Sequence, residues 1–391
     1  MSSPLFDVSK APYNATGDGS TNDYAAVQAA INDAEAASGC VYFPAGVYLI
    51  QTTLSFQGPG SPGQRSISFK GDGPNVSIIK AGNGAGGLEL VFAQSGYLQS
   101  WGVIIMDLGF RTSGVAGTAI RVRYGFPSVT NDHFEPSVLI RNIEIRSDDA
   151  NRWSNGVDIT SAWNVRMSDC FISGGSFGGN WSSLTGKGIA LHRSCVNSHF
   201  VNCQCNFWAT GFHYDTGGGV NDHNTEGLFF SNCSFVAVLK GVHITANPNY
   251  MIGGTSVPRV SGVNWTGGII ELRSNGTLGG SAAFHLVRVN EVMISNVMMI
   301  NDSIELTTYA VFADTCNTMS IVGCNVYSFT YGFLTASRCK AVVTSSSTFV
   351  NCSTQVVYSS ETTDSRSFGH VRFNNAANEW DQNGTNKMGW V

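Results

Sequence analysis

Histidine and aspartate recur at alternate positions of short apolar segments in this chain of 391 residues. His213 and Asp215 are two residues apart, and His243 and His285 stand between apolar residues in the same way. Alternation of polar and apolar residues is typical of a β-strand that has one buried side. We therefore predict that these polar side chains share the outward face of a sheet.

The same pattern extends to earlier and later segments, which can be aligned into two outward columns. Equivalent residues of parallel strands stacked in register lie ~4.8 Å apart. The first column contains Asp158, Ala190, His213, His243, His285 and Phe312. The second contains Thr160, His192, Asp215, Thr245, Val287 and Asp314. A solvated polar ladder is the alternative to a functional strip, and we prefer it for His285, whose neighbours Val287 and Phe312 are apolar.

Carboxylates beside imidazoles are suited to acid–base chemistry on a glycosidic bond. That reaction uses two carboxyl groups, about 5 to 5.5 Å apart for retention and about 6.5 to 9.5 Å for inversion. Asp158 and Asp215 should lie two coils apart, roughly 10 Å, which favours inversion. Glu226, or Glu271 on the opposite wall, could instead pair with Asp215. The predicted catalytic residues are Asp215, Glu226, Asp158 and His213.

The connections between the predicted strands differ in length beside these columns. They are long at residues 216–226 and 246–258 but short at 206–210 and 236–240. Short connections between long ones leave a groove with walls. A groove walled by loops on a rigid scaffold suits an extended polymer.

Side chains of the long loops could contact a sugar chain. Trp153, Trp181 and Tyr250 have flat faces that can stack on sugar rings, although ordinary loop packing is the alternative for each. Residues 222–226 add carboxylates and hydrogen-bonding groups. The predicted substrate-binding residues are His192, His243, Asp222, His223, Glu271, Trp181 and Tyr250.

The candidate segments belong to a repeat that runs through most of the chain. Asn, Asp or Gly precedes a small apolar residue at positions 142, 169, 202, 232, 262, 296 and 323, in steps of 27 to 34 residues. Self-similarity at such a period indicates a solenoid. Two or three short strands per repeat, with little helical pattern after residue 40, predict a parallel β-helix in which each coil pairs with the next.

The cysteines follow the same repeat. Four of the ten take the inward position after the repeated Asn, Asp or Gly, namely Cys170, Cys203, Cys233 and Cys324. We expect stacked, buried thiols rather than disulfides, because free cysteine packs as a small hydrophobic residue. No cysteine pair has the spacing of a zinc site, and we predict no metal and no cofactor.

Composition excludes several classes of function. Only 13% of the residues are charged and the net charge is −5, whereas a nucleic-acid-binding protein needs a basic stripe. No run reaches the ~18 to 20 apolar residues of a membrane span, so no membrane contact is predicted. The first residues lack a basic start and an apolar stretch, and we expect no signal peptide in this sequence.

Residues 14–50 carry the most recognisable motifs. They contain Gly-Asp-Gly-x-Thr-x-Asp, a segment with apolar residues at helical spacing, and Val-Tyr-Phe-Pro-x-Gly-x-Tyr. This stretch resembles the amino-terminal motif of the pectate-lyase-like right-handed β-helix superfamily. In that pattern Asp18 and Asp23 are turn and cap residues rather than catalysts.

The resemblance implies an all-β, right-handed, single-stranded parallel β-helix with an amino-terminal capping helix. We predict a single domain over residues 1–391. It consists of a turn and capping helix at 14–40, coils at 41–352, and a carboxy-terminal cap or tail at 353–391.

The sequence is also similar to phage tailspike and prophage depolymerases, which form trimers and cleave bacterial surface polysaccharides. The resemblance implies a polysaccharide partner, a homotrimer, and an extracellular or virion-associated location. We predict a glycoside hydrolase. The calcium-dependent elimination that pectate lyases perform on uronic acids is disfavoured because the two columns contain no Lys or Arg, and Arg193 and Arg273 are only nearby in loops. Elimination with a histidine base stays an alternative. A carbohydrate-binding adhesin without catalytic activity is the third interpretation.

Overall fold

The computed structural model describes residues 4–58, 66–92, 102–125, 137–147, 151–175, 184–193, 195–216, 225–246, 251–252, 255–256, 260–273, 280–303, 307–373, 380–382 and 388–390. These residues form one α-helix and 41 β-strands. The chain divides into two compact units. The amino-terminal unit comprises Met1–Gly179 with Gly186–His199, and the carboxy-terminal unit comprises Asn180–Thr185 with Phe200–Val391. The single domain predicted for residues 1–391 stays a prediction.

The predicted capping helix is α1, Tyr24–Ala37. Its buried side chains are spaced three or four residues apart: Val27, Ala30, Ile31 and Ala34. This apolar stripe packs against strands of the first coil, so the helix covers an end that would otherwise expose the core. No helix within the described ranges is long and apolar enough to span a membrane.

Asp18 and Asp23 are structural, as predicted, but Asp23 acts on the turn rather than on the helix. Asp23 Oδ1 accepts hydrogen bonds from the Thr16 backbone N–H (2.7 Å) and hydroxyl (2.8 Å), and Oδ2 accepts one from the Gly17 N–H (3.0 Å). Asp18 accepts from the backbone N–H groups of Ser20 and Thr21. The two carboxylates therefore fix the turn that leads into α1.

Short strands follow in both units. Those of the amino-terminal unit are β1 (Leu5–Asp7), β2 (Asp18–Asn22), β3 (Cys40–Phe43), β4 (Gly46–Ile50), β5 (Leu54–Gly58), β6 (Ile67–Gly71), β7 (Ser77–Ala81), β8 (Leu88–Phe92), β9 (Gly102–Met106), β10 (Gly109–Thr112), β11 (Ala116–Tyr124), β12 (Ser137–Arg141), β13 (Glu144–Arg146), β14 (Trp153–Thr160), β15 (Val165–Ser168), β16 (Phe171–Ser173) and β17 (Lys187–His192). The next strand, β18 (Ser198–Val201), contains the boundary between the units.

The strands of the carboxy-terminal unit are β19 (Gln204–Asn206), β20 (Thr210–Asp215), β21 (Thr225–Ser231), β22 (Ser234–Val238), β23 (Lys240–Thr245), β24 (Met251–Ile252), β25 (Thr255–Ser256), β26 (Val260–Thr266), β27 (Ile269–Leu272), β28 (Ser281–Val287), β29 (Val289–Ser295), β30 (Met298–Asn301), β31 (Thr308–Asp314), β32 (Asn317–Val322), β33 (Asn325–Tyr327), β34 (Tyr331–Thr335), β35 (Lys340–Ser345), β36 (Thr348–Val350), β37 (Thr354–Tyr358), β38 (Arg366–Phe368), β39 (Val371–Phe373), β40 (Trp380–Gln382) and β41 (Met388–Trp390).

In each unit these strands build three parallel sheets. The amino-terminal unit has a first sheet β1-β3-β6-β9-β12-β15, a second sheet β2-β4-β7-β10-β13-β16 and a third sheet β5-β8-β11-β14-β17. The carboxy-terminal unit has a first sheet β21-β26-β29-β32-β35-β38-β41, a second sheet β19-β22-β27-β30-β33-β36-β39 and a third sheet β20-β23-β28-β31-β34-β37-β40. Within the described residues, β24 and β25 form the one antiparallel pair. Successive strands that visit three parallel sheets in turn are the coils of the predicted right-handed parallel β-helix.

The core of each coil is a stack of like side chains. In the carboxy-terminal unit, the rings of Phe200 and Phe230 stack at 4.8 Å, and those of Phe230 and Trp265 at 4.6 Å. All ten cysteines are free and nine are buried, which confirms the prediction of buried thiols rather than disulfides. Burial raises the pKa of Cys195 to about 11, so that side chain stays an uncharged thiol.

The turn between the first and second sheets needs a left-handed residue, which explains the repeated Asn. Asn202, Asn232 and Asn296 have φ of 52° to 55° there, and the Asn232 side-chain amide donates to the Asn202 side-chain oxygen at 3.0 Å. Asparagine adopts this conformation more readily than most residues.

The alignment of Gly262 with the repeated Asn was wrong, because Gly262 is not at the turn between the first and second sheets. Gly262 lies within β26, next to the register pairs Glu226–Ser261 and Leu228–Val263. The turn is instead at Gly267 and Gly268, both with positive φ. Gly262 also has positive φ, but inside the strand. In the sequence, a glycine at such an irregular strand position looks the same as a glycine at a turn.

Paired coils continue into residues 353–391, where a cap or tail was predicted. β37 pairs with β34, β38 with β35 and β39 with β36, all in parallel. The repeat is harder to see in this part of the sequence because inward positions become polar, including Ser365 and Ser367, both fully buried.

Candidate functional site

The outward face of the third sheet in the amino-terminal unit carries a row of ionisable residues. We call Glu89, Arg121, Asp158 and His192 the ionic row. Arg121 is in register with Glu89 on one side and with Asp158 on the other, and His192 is in register with Thr160. The predicted alignment of residues 158 to 192 is therefore confirmed within this unit.

Asp158 is the most buried member of the ionic row. Its side chain is 13% exposed, and it lies between Arg121 Nε (3.9 Å) and His192 Nε2 (3.8 Å). Arg121 also contacts Glu89 Oε1 at 3.2 Å and donates to the Thr118 hydroxyl at 2.9 Å. Both contacts of Asp158 are longer than hydrogen bonds, and the one with the Arg121 guanidinium is an ion pair. The row thus holds a carboxylate between a guanidinium and an imidazole.

Arg121 and Glu89 were missed by the sequence analysis, which began the columns at Asp158. The claim that the outward strip lacks Lys and Arg was therefore wrong. Residues 119–123 alternate in the same way as 157–160, and that signal could have placed Arg121 beside Asp158. The earlier segment lies outside the clear repeat.

The third sheet of the carboxy-terminal unit carries a row of rings. We call His213, His243, His285 and Phe312 the ring row. The four residues are in register on β20, β23, β28 and β31, and successive ring centroids are 5.2, 4.8 and 4.8 Å apart. This confirms the predicted column from 213 to 312.

Asp215 and His285 differ in their surroundings. Asp215 ends β20 with an exposed side chain, in register with Thr245, whose hydroxyl contacts His243 Nε2 at 3.2 Å. Burial, with a smaller contribution from Lys240, lowers the pKa of His285 to about 4, although Asp314 opposes this. His285 is therefore an uncharged ring at neutral pH.

Glu226 and Glu271 are on other sheets of the carboxy-terminal unit. Glu226 is exposed on β21, in register with Ser261. Glu271 is on β27 and contacts Arg273 at 2.8 Å, and the same guanidinium nitrogen contacts Asp302 at 2.8 Å. The carboxylate of Glu271 is thus already engaged in an ion pair, and its role toward a substrate stays a prediction.

Other predicted positions divide between the units or lie outside the described residues. Asp158 belongs to the amino-terminal unit and Asp215 to the carboxy-terminal unit, so their pairing stays a prediction. Four of the predicted substrate-binding residues lie outside the described residues: Trp181, Asp222, His223 and Tyr250.

The prediction that Trp153 could stack on a sugar ring is wrong. Its side chain is 1% exposed, and its indole N–H donates to the Arg146 carbonyl. Among the side chains that are described, no group of three His, Cys, Asp or Glu residues is placed to bind a metal ion.

Comparisons with known proteins agree with this architecture. Residues 8–243, more than half of the chain, match the profile of the family described as rhamnogalacturonase A/epimerase, pectate lyase-like. The A-module of mannuronan C-5 epimerase AlgE4 from Azotobacter vinelandii aligns with a TM-score of 0.59 and 16% identity, covering 99% of this chain and 100% of the module. No protein of curated function matches the sequence significantly.

Two further solved structures have the same fold. The A-module of epimerase AlgE6 from the same bacterium aligns with a TM-score of 0.59 and 16% identity, covering 98% of this chain and 99% of the module. The pre-mature gene product 12 of bacteriophage phi29 aligns with a TM-score of 0.58 and 13% identity, covering 98% of this chain and 56% of that one. At such identities the likeness establishes the fold and not the activity.

Proposed function

Because this chain belongs to the rhamnogalacturonase A/epimerase, pectate-lyase-like family, we propose that it hydrolyses glycosidic bonds of a bacterial surface or other extracellular polysaccharide. The family and the fold support a protein that acts on or binds polysaccharide. The finer proposal rests on the outward face of the third sheets, where carboxylates and imidazoles are neighbours.

The contact between Asp158 and His192 is the observation that carries this proposal. A carboxylate that is almost buried, 3.8 Å from an imidazole on an outward face, is unusual for a merely solvated ladder. In the carboxy-terminal unit, Asp215 stands two residues from His213 at the end of its strand. Each unit thus offers a carboxylate and an imidazole on the face that a polymer could follow.

Hydrolysis would divide two tasks between such groups. One carboxyl group gives a proton to the leaving oxygen, and the other accepts a proton from the attacking water. Asp215 and Glu226 are exposed, which leaves their oxygens accessible to a sugar chain. Asp158 is held between Arg121 and His192, and His192 could orient it or donate to a sugar hydroxyl.

The test removes each carboxylate with little change of shape and measures reducing ends released from a polysaccharide. Asp158→Asn, Asp215→Asn and Glu226→Gln are compared with Asp314→Asn, which shares the outward column of Asp215, and with Glu291→Gln, an exposed residue of β29. Loss of a catalytic acid or base should lower the rate by about 10²-fold or more, and the controls should keep it. Full activity in all three variants contradicts the proposal.

Chemistry at C-5 of a uronic acid is the second candidate, and Arg121 favours it. Elimination and epimerisation both begin with removal of a proton next to a carboxylate, where a cation stabilises the developing charge. Arg121 places a guanidinium beside Asp158, whose other carboxylate oxygen faces His192, in the part of the chain that matches the family profile. Its two carboxylate partners already balance much of that charge, so hydrolysis stays the first proposal.

Product analysis separates these reactions. New reducing ends without ultraviolet absorbance indicate hydrolysis, and ends with the absorbance of an unsaturated uronate indicate elimination. Deuterium uptake at C-5 without new ends indicates epimerisation. Binding without any of these products indicates an adhesin.

We further propose an extracellular or virion-associated location and a homotrimer. The similar fold of a bacteriophage gene product supports the location. Sedimentation equilibrium should give three times the chain mass of 41.7 kDa, and a monomer would contradict the trimer.

A further inference from the structure

Beyond His243, the outward face of the carboxy-terminal unit is lined by four rings that are not needed for the proposed chemistry. His285 and Phe312 are 4.8 Å apart, Phe312 and Tyr309 are 5.3 Å apart, and Tyr309 stacks on Tyr331 at 5.4 Å with an interplanar angle of 12°. We call these four residues the aromatic strip. They lie on β28, β31 and β34, three consecutive strands of the third sheet.

The aromatic strip is partly exposed and carries little charge. All four side chains are neither fully buried nor fully open to solvent. Burial keeps the pKa of His285 at about 4, so the ring is uncharged at neutral pH. On the adjoining strands, Ala282 is in register with Tyr309 and Leu334 is in register with Phe312, and both are apolar. Asp314 is the charged outward residue on β31, two positions along the strand from Phe312.

We propose that the aromatic strip binds the sugar rings of the polysaccharide by stacking, as a binding site separate from the catalytic carboxylates. The class of ligand rests on the proposed function. A pyranose has an apolar face of C–H groups that packs on an aromatic ring, while tyrosine hydroxyls can bond to its rim. The strip has one ring on β28, two on β31 and one on β34. Successive strands are ~4.8 Å apart, so a polymer along the solenoid axis has repeated contacts.

The strip is better suited to a polymer than to a protein partner. A stable protein interface buries ~800 Å² on each side. Aromatic side chains have ~150 to 250 Å² each, and most of that area is already buried in these four, so the strip is far too narrow for such an interface. A sugar chain needs only a line of rings.

The strip also extends the ring row. Through His285 it is continuous with His243 and His213, whose rings are 4.8 and 5.2 Å apart along the same column. A chain bound on the strip would therefore reach the strand that ends in Asp215.

The test measures retardation in native gels that contain soluble rhamnogalacturonan, polymannuronate or dextran. Phe312→Ala and Tyr331→Ala each remove a ring, whereas Phe312→Tyr and Tyr331→Phe keep one. The matched control is Tyr327→Ala, a partly exposed tyrosine on β33 of the second sheet, four residues before Tyr331. Loss of one stacking ring should weaken binding roughly two- to tenfold. The ring-keeping variants and Tyr327→Ala should bind within twofold of the wild type, and unchanged thermal unfolding shows that each variant is folded.

Each outcome decides the proposal. Equal retardation of the wild type and the alanine variants contradicts it, as does a wild type that none of the three polymers retards. A change of oligomeric state in Phe312→Ala or Tyr331→Ala makes the strip a protein interface and also overturns it. Strip-dependent binding without any released product contradicts the proposed hydrolysis but leaves the strip intact.

Discussion

The ionic row and the ring row occupy the outward face of a third sheet in each unit, yet they hold together by opposite means. In the ionic row, Arg121 contacts both Glu89 and Asp158, so removal of one charge leaves another without its partner. In the ring row, His213, His243, His285 and Phe312 pack against one another through ring faces and edges. Neighbouring charges in a row must therefore have opposite signs, whereas any number of rings can pack one after another.

The difference shows what the coil does and does not specify. Parallel pairing brings any two equivalent side chains to ~4.8 Å, whatever their type. At that distance a carboxylate and a guanidinium attract, two carboxylates repel, and two rings pack. The scaffold therefore sets the spacing and the residues decide the chemistry, which is why one fold can present a charged surface and a stacking surface.

Arg121→Met should have the largest effect on stability, because it removes the cation of the ionic row and keeps the aliphatic bulk. Asp158, 13% exposed, and Glu89 would then be in register two strands apart without the charge between them. We expect the free energy of unfolding to fall by about 2 to 3 kcal/mol, measured by urea denaturation.

A double-mutant cycle sharpens this prediction. In the Asp158→Asn background the Arg121→Met change should cost at least ~1 kcal/mol less, because the carboxylate that needed the cation is gone. The matched change in the ring row, His285→Phe, should cost almost nothing at pH 7. Equal losses of unfolding free energy in Arg121→Met and His285→Phe, or a cycle without coupling between Arg121 and Asp158, would contradict the distinction between the two rows.

Acid should weaken the ring row through His285. In the folded chain its pKa is about 4, against an ordinary value of 6.5, because burial and Lys240 disfavour the charged ring. Between these values the unfolded state binds more protons, so stability is fully present above pH 6.5 and is lost as pH falls toward 4. Because the ring is partly exposed, we expect a loss of only about 2 kcal/mol. Urea denaturation from pH 4 to 7 measures it, and His285→Phe should remove this part of the slope; an identical slope in both proteins contradicts it.

The fold could be predicted from the sequence because each coil repeats the same requirements. The alternating segments predicted the strands of the third sheet. Asn232 and its equivalents indicated the turns, because few residues other than glycine and asparagine adopt the positive φ found there. Gly262 misled because glycine adopts positive φ both at turns and inside irregular strands. The sequence period identifies each coil, but it does not identify which glycine forms the turn between the first and second sheets.

The candidate site was only partly accessible to the same reasoning. The column from His213 to Phe312 followed from alternation alone, because residues in register must be neighbours. Arg121 was missed since its coil has weaker sequence similarity to the others. The burial of Trp153 depends on tertiary contacts, such as its indole N–H with the Arg146 carbonyl, which the repeat does not determine. Pairings such as Asp215 with Glu226 depend on the path of loops, which no repeat determines.

Salt should produce the smallest difference between the two rows. The Arg121–Glu89 pair is about one-third exposed, and exposed pairs contribute only ~0.2 to 1 kcal/mol. The screening length falls from ~10 Å at 0.1 M salt to ~3 Å at 1 M. We therefore expect Glu89→Gln to destabilise the protein by roughly 0.5 kcal/mol at low salt and by almost nothing at 1 M sodium chloride. The cost of Phe312→Leu should be the same at both concentrations, because ring packing is not screened. A salt-dependent cost in the ring row, or a salt-independent one for Glu89→Gln, would show that the two rows share one source of stability.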